Sequence, residues 1–117
     1  MKETELFLGL ARAIEEYRQA RKNFIPNDEV LFNTKAAINV AHQLFPDATI
    51  EAKADELGMG SVFVSITDYD FVIRGAEEIE LFHQLIDKAD NFEIHPINNE
   101  YTRISLAFHN VFIVVRE

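Results

Sequence analysis

The sequence predicts an α+β domain in which an N-terminal helical hairpin precedes segments in the order β-β-β-α-β-β-β. Three observations support this class. Apolar residues recur at helical spacing through residues 3–24 and 27–45, and after residue 48 they recur at every second position. A single amphipathic helix over 75–90 then has three strand-like runs on each side. We expect one bent antiparallel sheet that packs against the helices.

The two N-terminal helices are separated by a proline. Pro26 is incompatible with continuation of the first helix, and Asn27 is a plausible N-cap for the second. Asp28 and Glu29 follow in the first turn, where the helix dipole favours carboxylates. Pro46 ends this second helix. Because the connection is short, we expect the two helices to be antiparallel neighbours.

The helix over 75–90 has a clear apolar stripe. Ile79, Phe82, Ile86 and Ala89 fall on one face at 100° per residue, and charged residues fill the opposite arc. Such a stripe is not stable in water alone, so we expect the sheet to cover it.

The strands are predicted from period-two alternation and from turn residues. Pro96 weakens the strand that contains Phe92 and Ile94 or places it at an edge of the sheet. The last run, 111–115, is apolar on both faces, which predicts a central or doubly covered strand. The remaining predicted strands lie within 48–55, 61–67, 71–73 and 102–108.

The composition fits one domain over residues 1–117, with 48% hydrophobic residues and no cysteine. Disulfides, thiolate nucleophiles and cysteine-based metal sites are excluded. No transmembrane run and no signal-peptide pattern occur, so we expect a cytoplasmic protein without membrane contact.

The negative charge is concentrated in one half of the chain. The net charge is −9, and residues 47–100 contain thirteen acidic side chains but only three basic ones. Direct binding to nucleic acid or to an anionic membrane requires a basic patch and is therefore disfavoured. A protein partner with a basic surface fits this distribution.

Motifs for catalysis or cofactor binding are weak, and no cofactor is expected. Glu80, His83 and Asp87 have the i, i+3 and i+7 spacing of a helical metal site, but they fall on the polar arc of their helix. Asp68 and Asp70 flank a tyrosine, without the glycine and distal glutamate of a calcium loop. Turn formation and solvation explain both sets.

We therefore expect a non-catalytic protein-interaction module, such as a small acidic adaptor, chaperone, inhibitor or immunity-type protein. The element order is similar to that of small acidic secretion chaperones, although no motif carries this similarity. A homodimer is a further expectation, formed through an edge strand or through the first helix. The candidate contact residues are Phe7, Leu8, Asp68, Asp70, Glu77, Glu80 and Asp87.

Two alternatives remain open from sequence. In the first, helices over a bent sheet enclose a pocket for a small molecule or substrate, with Tyr17, Tyr101 or His109 as its polar groups. Serines such as Ser61 lack the strand–turn–helix elbow of a nucleophile. In the second alternative, the acidic half mimics nucleic acid and blocks a basic groove on another protein.

Overall fold

The computed structural model describes residues 7–20, 24–55 and 60–114, and it confirms the α+β class. Three helices and six strands occur in the described residues. The helices are α1 (Leu8–Ala20), α2 (Asp28–Leu44) and α3 (Gly75–Asp87). The strands are β1 (Phe24–Pro26), β2 (Thr49–Ala54), β3 (Val62–Asp68), β4 (Asn91–Pro96), β5 (Thr102–Phe108) and β6 (Phe112–Val114).

Four strands form an antiparallel sheet in the order β2-β3-β5-β4. Its inner face carries alternate apolar residues from β2, β3 and β5, and these are buried against the helices. Its outer face carries the intervening residues, among them Glu51, Lys53 and Phe63, which are exposed. The predicted edge position of β4 is confirmed.

The strand predicted over 71–73 is wrong, because these residues have no strand conformation. Both edges of β3 are already paired, one with β2 and the other with β5. A hairpin strand after β3 therefore has no edge to pair with. Phe71 instead packs against Phe45, with ring centroids 4.7 Å apart, and the segment leads from the sheet to α3.

The prediction that 111–115 form a central or doubly covered strand is also wrong. β6 pairs with β1, a strand that the sequence did not predict, in a separate two-stranded ribbon. Ile113 is exposed on this ribbon, whereas Phe112 is buried against Tyr17, with ring centroids 4.6 Å apart. The apolar run therefore contributes to a local aromatic cluster and does not pair with the main sheet. Residues 115–117 lie outside the described residues.

The helices differ in the elements that they mainly pack against. α1 packs mainly on β2, and α2 packs mainly against α3, so the two N-terminal helices have different partners. On α3, Leu85 is the residue that becomes fully buried, while Ile79 in the predicted stripe is exposed. α3 therefore covers α2 more than it covers the sheet. Asn27 is the N-cap of α2 as predicted, although its side chain makes no capping hydrogen bond.

α1 lies against the free edge of β2. The Asp55 N–H donates to Ser61 O at 2.9 Å, so alternation in the antiparallel ladder turns the backbone groups of Ala52 away from β3. Gly9 of α1 faces them, and a Cβ atom there would lie 2.9 Å from Ala52 O and 3.0 Å from Ala52 N. This close approach requires glycine.

Gly9→Ala should therefore destabilise the fold by about 1–3 kcal/mol, because α1 must move away from a backbone that cannot yield. Ala11→Gly is the matched control on the exposed side of α1. It should cost about 1 kcal/mol through helix propensity alone. Urea unfolding of both variants measures this, and a stabilised Gly9→Ala protein would contradict the close contact.

Candidate interaction surfaces

One candidate surface is on β4, where two apolar side chains continue the core but are not covered. Ile94 pairs with Ile104, and Phe92 pairs with Leu106, so both share the inner face of the sheet. Ile104 and Leu106 are 2% and 1% exposed, whereas Ile94 and Phe92 are 55% and 43% exposed. The helical layer thus ends before β4. We name Phe92 and Ile94, with the free backbone edge beside them, the β4 apolar edge.

The backbone of this edge is also open. The Ile97 N–H donates to Tyr101 O at 2.9 Å, which places the odd-numbered residues of β4 in hydrogen-bonded pairs with β5. The backbone groups of Phe92, Ile94 and Pro96 therefore point away from the sheet. Proteins normally block such edges with charge, proline or a covering element. Here Pro96 removes one donor, but the donors of Phe92 and Ile94 remain.

The two edges of the sheet are thus unequal. On β2, at the opposite edge, the inner residues Ile50 and Ala52 are buried. α1 provides this cover, leaving an open groove of about 560 Å³ between helix and strand. Among the described residues no comparable element covers β4. An uncovered apolar row on an edge strand is typical of a site that binds another chain.

A second surface is an acidic groove of about 380 Å³ between the end of α2, the end of β3 and the start of α3. Its walls include four carboxylates and one guanidinium, from Asp47, Asp68, Asp70, Glu78 and Arg74. Two of these carboxylates make local contacts. Asp68 Oδ1 accepts the Tyr69 N–H at 2.7 Å, and the Glu78 carboxylate accepts the Arg74 N–H. The groove keeps an acidic balance that suits a cationic side chain.

An exposed aromatic pair lies beside the acidic groove. The rings of Tyr69 and Tyr101 meet edge to face, with centroids 6.2 Å apart, and both rings are exposed. Tyr69 lies between Asp68 and Asp70, which line the groove. Tyrosine faces and carboxylates together favour lysine and arginine side chains through cation–π and ionic contacts.

The structure separates the other predicted contact residues. Phe7 is partly buried against the core, whereas Leu8 is exposed and lines the groove between α1 and β2. Glu77, Glu80 and Asp87 are exposed on α3 and do not line the acidic groove. The predicted residues thus lie in four places, namely the core, the groove between α1 and β2, the exposed side of α3 and the acidic groove. Asp68 and Asp70 are the two that line the acidic groove.

The metal candidates on α3 gain no geometric support. Glu80, His83 and Asp87 are all exposed. Over residues 7–20, 24–55 and 60–114, no three or more histidine or acidic side chains are positioned to hold a metal ion. Their helical spacing is met, but additional ligands from a facing element are not found there.

Tyr17 is the centre of a buried polar cluster that joins α1 to the ends of β2 and β3. Its hydroxyl donates to Ser61 O at 2.7 Å and accepts the Asp55 N–H at 3.2 Å. Burial raises the pKa of the Tyr17 phenol above its ordinary value, because the phenolate would lose its hydration. Phe24 and Phe112 pack around the ring. These contacts explain why a tyrosine occupies a core position of α1.

The same cluster brings together a serine and a histidine that the sequence could not pair. Ser61 Oγ lies 2.9 Å from His109 Nδ1, and the backbone N–H of His109, not its ring, donates to Asp90 Oδ2 at 2.7 Å. Ser61 is buried, so its hydroxyl is not presented to a substrate. A nucleophilic serine also requires donors for an oxyanion. The geometry favours a structural link between two turns.

Tyr17→Phe should reduce the free energy of unfolding by about 0.5–1.5 kcal/mol at neutral pH, because the buried Ser61 carbonyl loses one of its two donors. Above pH about 10 the unfolded chain releases the tyrosine proton while the folded chain keeps it. The wild-type protein therefore loses stability with rising pH through this group, and the variant does not.

The stability difference between wild type and Tyr17→Phe should consequently shrink as the pH rises above about 10. Urea unfolding at pH about 7 and about 11 measures it. Tyr101→Phe is the matched control, since that ring is exposed, and it should change stability by less than about 0.5 kcal/mol. A constant difference between wild type and Tyr17→Phe would show that burial does not perturb the phenol.

The sequence predicts only part of the β4 apolar edge. Alternation of Phe92 and Ile94 with Glu93 and His95 predicts a strand, and Pro96 predicts its edge position. Together these signals describe an edge strand with an apolar inner face. Whether a helix covers that face depends on tertiary packing, which alternation does not encode.

Comparison with protein-family models, with curated proteins and with solved structures gives no match for this chain. In the part of the chain that the structure describes, no helix has the length and apolar character needed to cross a membrane.

Proposed function

We propose that this protein is a non-catalytic protein-interaction module, of the adaptor, chaperone, inhibitor or immunity type, whose principal contact surface is the β4 apolar edge. This proposal rests on the exposure of Phe92 and Ile94, whose cross-strand partners Leu106 and Ile104 on β5 are buried. The lack of cysteine supports a cytoplasmic, reducing location as part of the same proposal.

The energetics favour an occupied edge. Burying the remaining exposed surface of each side chain contributes on the order of 1 kcal/mol. Each new backbone hydrogen bond on the open edge adds about 0.5–1.5 kcal/mol. A partner that supplies an extended segment gains both terms at one place, and side chains on alternate positions provide selectivity.

A photo-crosslinking residue at position 92 should form adducts with a bound protein, because the side chain faces the occupied surface. Position 63 is the matched control. Phe63 is also a phenylalanine on a strand of this sheet and is 41% exposed, but it lies on the outer face. Adducts should form at position 92 in cells that express the chain and be much weaker at position 63. Mass spectrometry should map them to one binding segment.

Equal labelling at the two positions would contradict the proposal, because it would show contact governed by exposure alone. An absence of adducts at position 92 would contradict it as well.

We propose further that the acidic groove accepts a basic segment of a protein partner. Four carboxylates and the adjacent tyrosine pair support this choice. Such contacts are long-range and screened by salt, so they affect the association rate and its ionic-strength dependence more than they affect stability.

An oligolysine peptide tests this proposal, because its side chains are cationic and it contains no other side-chain type that the protein could recognise. The double variant Asp68→Asn, Asp70→Asn should weaken peptide binding by about threefold to tenfold in low salt. The control variant Glu77→Gln, Glu80→Gln changes the net charge by the same amount on residues outside the groove. Equal losses in the two variants, measured by isothermal titration, would assign the binding to overall charge.

A further inference from the structure

The β4 apolar edge carries a charge pattern that is complementary to itself. Glu93 and His95 lie on the outer face of the sheet, one on each side of Ile94. Glu93 is exposed and His95 is partly exposed. A carboxylate and an imidazole thus flank the apolar residue at the same distance along the strand.

We infer that the β4 apolar edge binds a second copy of this chain, with the two β4 strands antiparallel about a two-fold axis through Ile94. This inference rests on the proposed function and names the partner for that surface. In this register Glu93 of each copy lies opposite the partner's His95. A carboxylate opposite an imidazole forms a hydrogen bond or an ion pair, whichever protonation state the imidazole has.

The free backbone groups match this register. Hydrogen-bonded pairs in the new ladder must involve the residues that point away from β5, which are Phe92, Ile94 and Pro96. The Ile94 N–H of each copy then donates to Ile94 O of the partner subunit. The Phe92 N–H donates to the carbonyl of the partner's Pro96. Pro96 thus provides a carbonyl acceptor that the ladder requires. Because proline has no N–H to donate, the ladder is limited to a short pairing.

The inner face gains apolar contact in the same arrangement. The two Ile94 side chains meet at the axis, and each Phe92 ring lies opposite the partner's Pro96. The exposed Phe92 and Ile94 side chains of each copy are thereby covered by β4 of the other copy. Both sheets continue across the axis with one twist and one inner face.

Neighbouring two-fold registers are less favourable. Centring the pairing on Glu93 places two carboxylates directly opposite each other, and centring it on His95 places two imidazoles opposite each other. The two opposed carboxylates repel each other, and neither register places an imidazole opposite a carboxylate. The register centred on Ile94 is therefore the neighbouring one that joins unlike groups while it keeps the apolar residues on one face.

A charge exchange tests this register. Glu93→Lys leaves lysine opposite the partner's histidine, and His95→Glu leaves two glutamates opposed. Each single variant should raise the dimer dissociation constant by about tenfold or more. The double variant Glu93→Lys, His95→Glu restores an opposed acid and base and should return the dissociation constant to near the wild-type value. Sedimentation velocity over a concentration series measures it, with 13.5 kDa expected for the monomer and twice that for the dimer.

The double variant also controls for folding. Both side chains lie on the outer face, so the urea unfolding midpoint of a monomeric single variant should stay near that of the dissociated wild type. A dimer that is weakened by each single exchange and restored by the double exchange supports the inference. A dimer that is unaffected by both single exchanges, or not restored by the double exchange, overturns it.

Failure of this inference differs from failure of the proposed function. A wild-type chain that stays monomeric at all concentrations overturns self-pairing. If position 92 then forms adducts with a different protein, the β4 apolar edge remains the contact surface with another occupant. If position 92 forms no adducts beyond those at position 63, the interaction surface itself is rejected.

Discussion

Burial of the inner row of β3 is the interaction on which the rest of the molecule depends. Val62, Val64 and Ile66 are each fully buried, with β2 on one side, β5 on the other and the helices above. Each such side chain contributes roughly 1.5–3 kcal/mol relative to an exposed one. A slip of one residue would turn the whole row to solvent, so this row fixes the register of both neighbouring strands.

The ends of this row are held by polar contacts rather than by further apolar packing. At the β2–β3 end, Tyr17 links the first helix to Ser61, and Ser61 contacts His109 across the sheet. At the other end, the chain leaves β3 through a turn of acidic and aromatic residues that borders the acidic groove. The core thus determines where these groups lie, and it leaves one of the two ends available for contact with other molecules.

Sequence patterns predicted the positions of the helices and strands better than they predicted which of these elements pack together. Period-two alternation located β2, β3 and β5, and Pro96 located an edge. The run at 71–73 misled because a short apolar segment after a turn resembles a strand even when both edges of its neighbour are occupied. Periodicity correctly predicted an amphipathic helix at α3, but this helix packs mainly on α2 and not on the sheet. Periodicity shows which face of a helix is apolar, but it does not identify the element that this face packs against.

The unequal edges of the sheet have a consequence for assembly. α1 lies against the backbone of β2, where Gly9 allows it to approach closely, so that edge does not accept a strand without loss of the helix. Within the described residues, the four-stranded sheet therefore has one open edge, on β4, and can add one further strand there. The proposed association through β4 would use that edge and stop the growth of this sheet at two chains, whereas a sheet open on both sides would extend into a filament. In the proposed dimer, α1 would thus prevent the four-stranded sheet from growing beyond two chains.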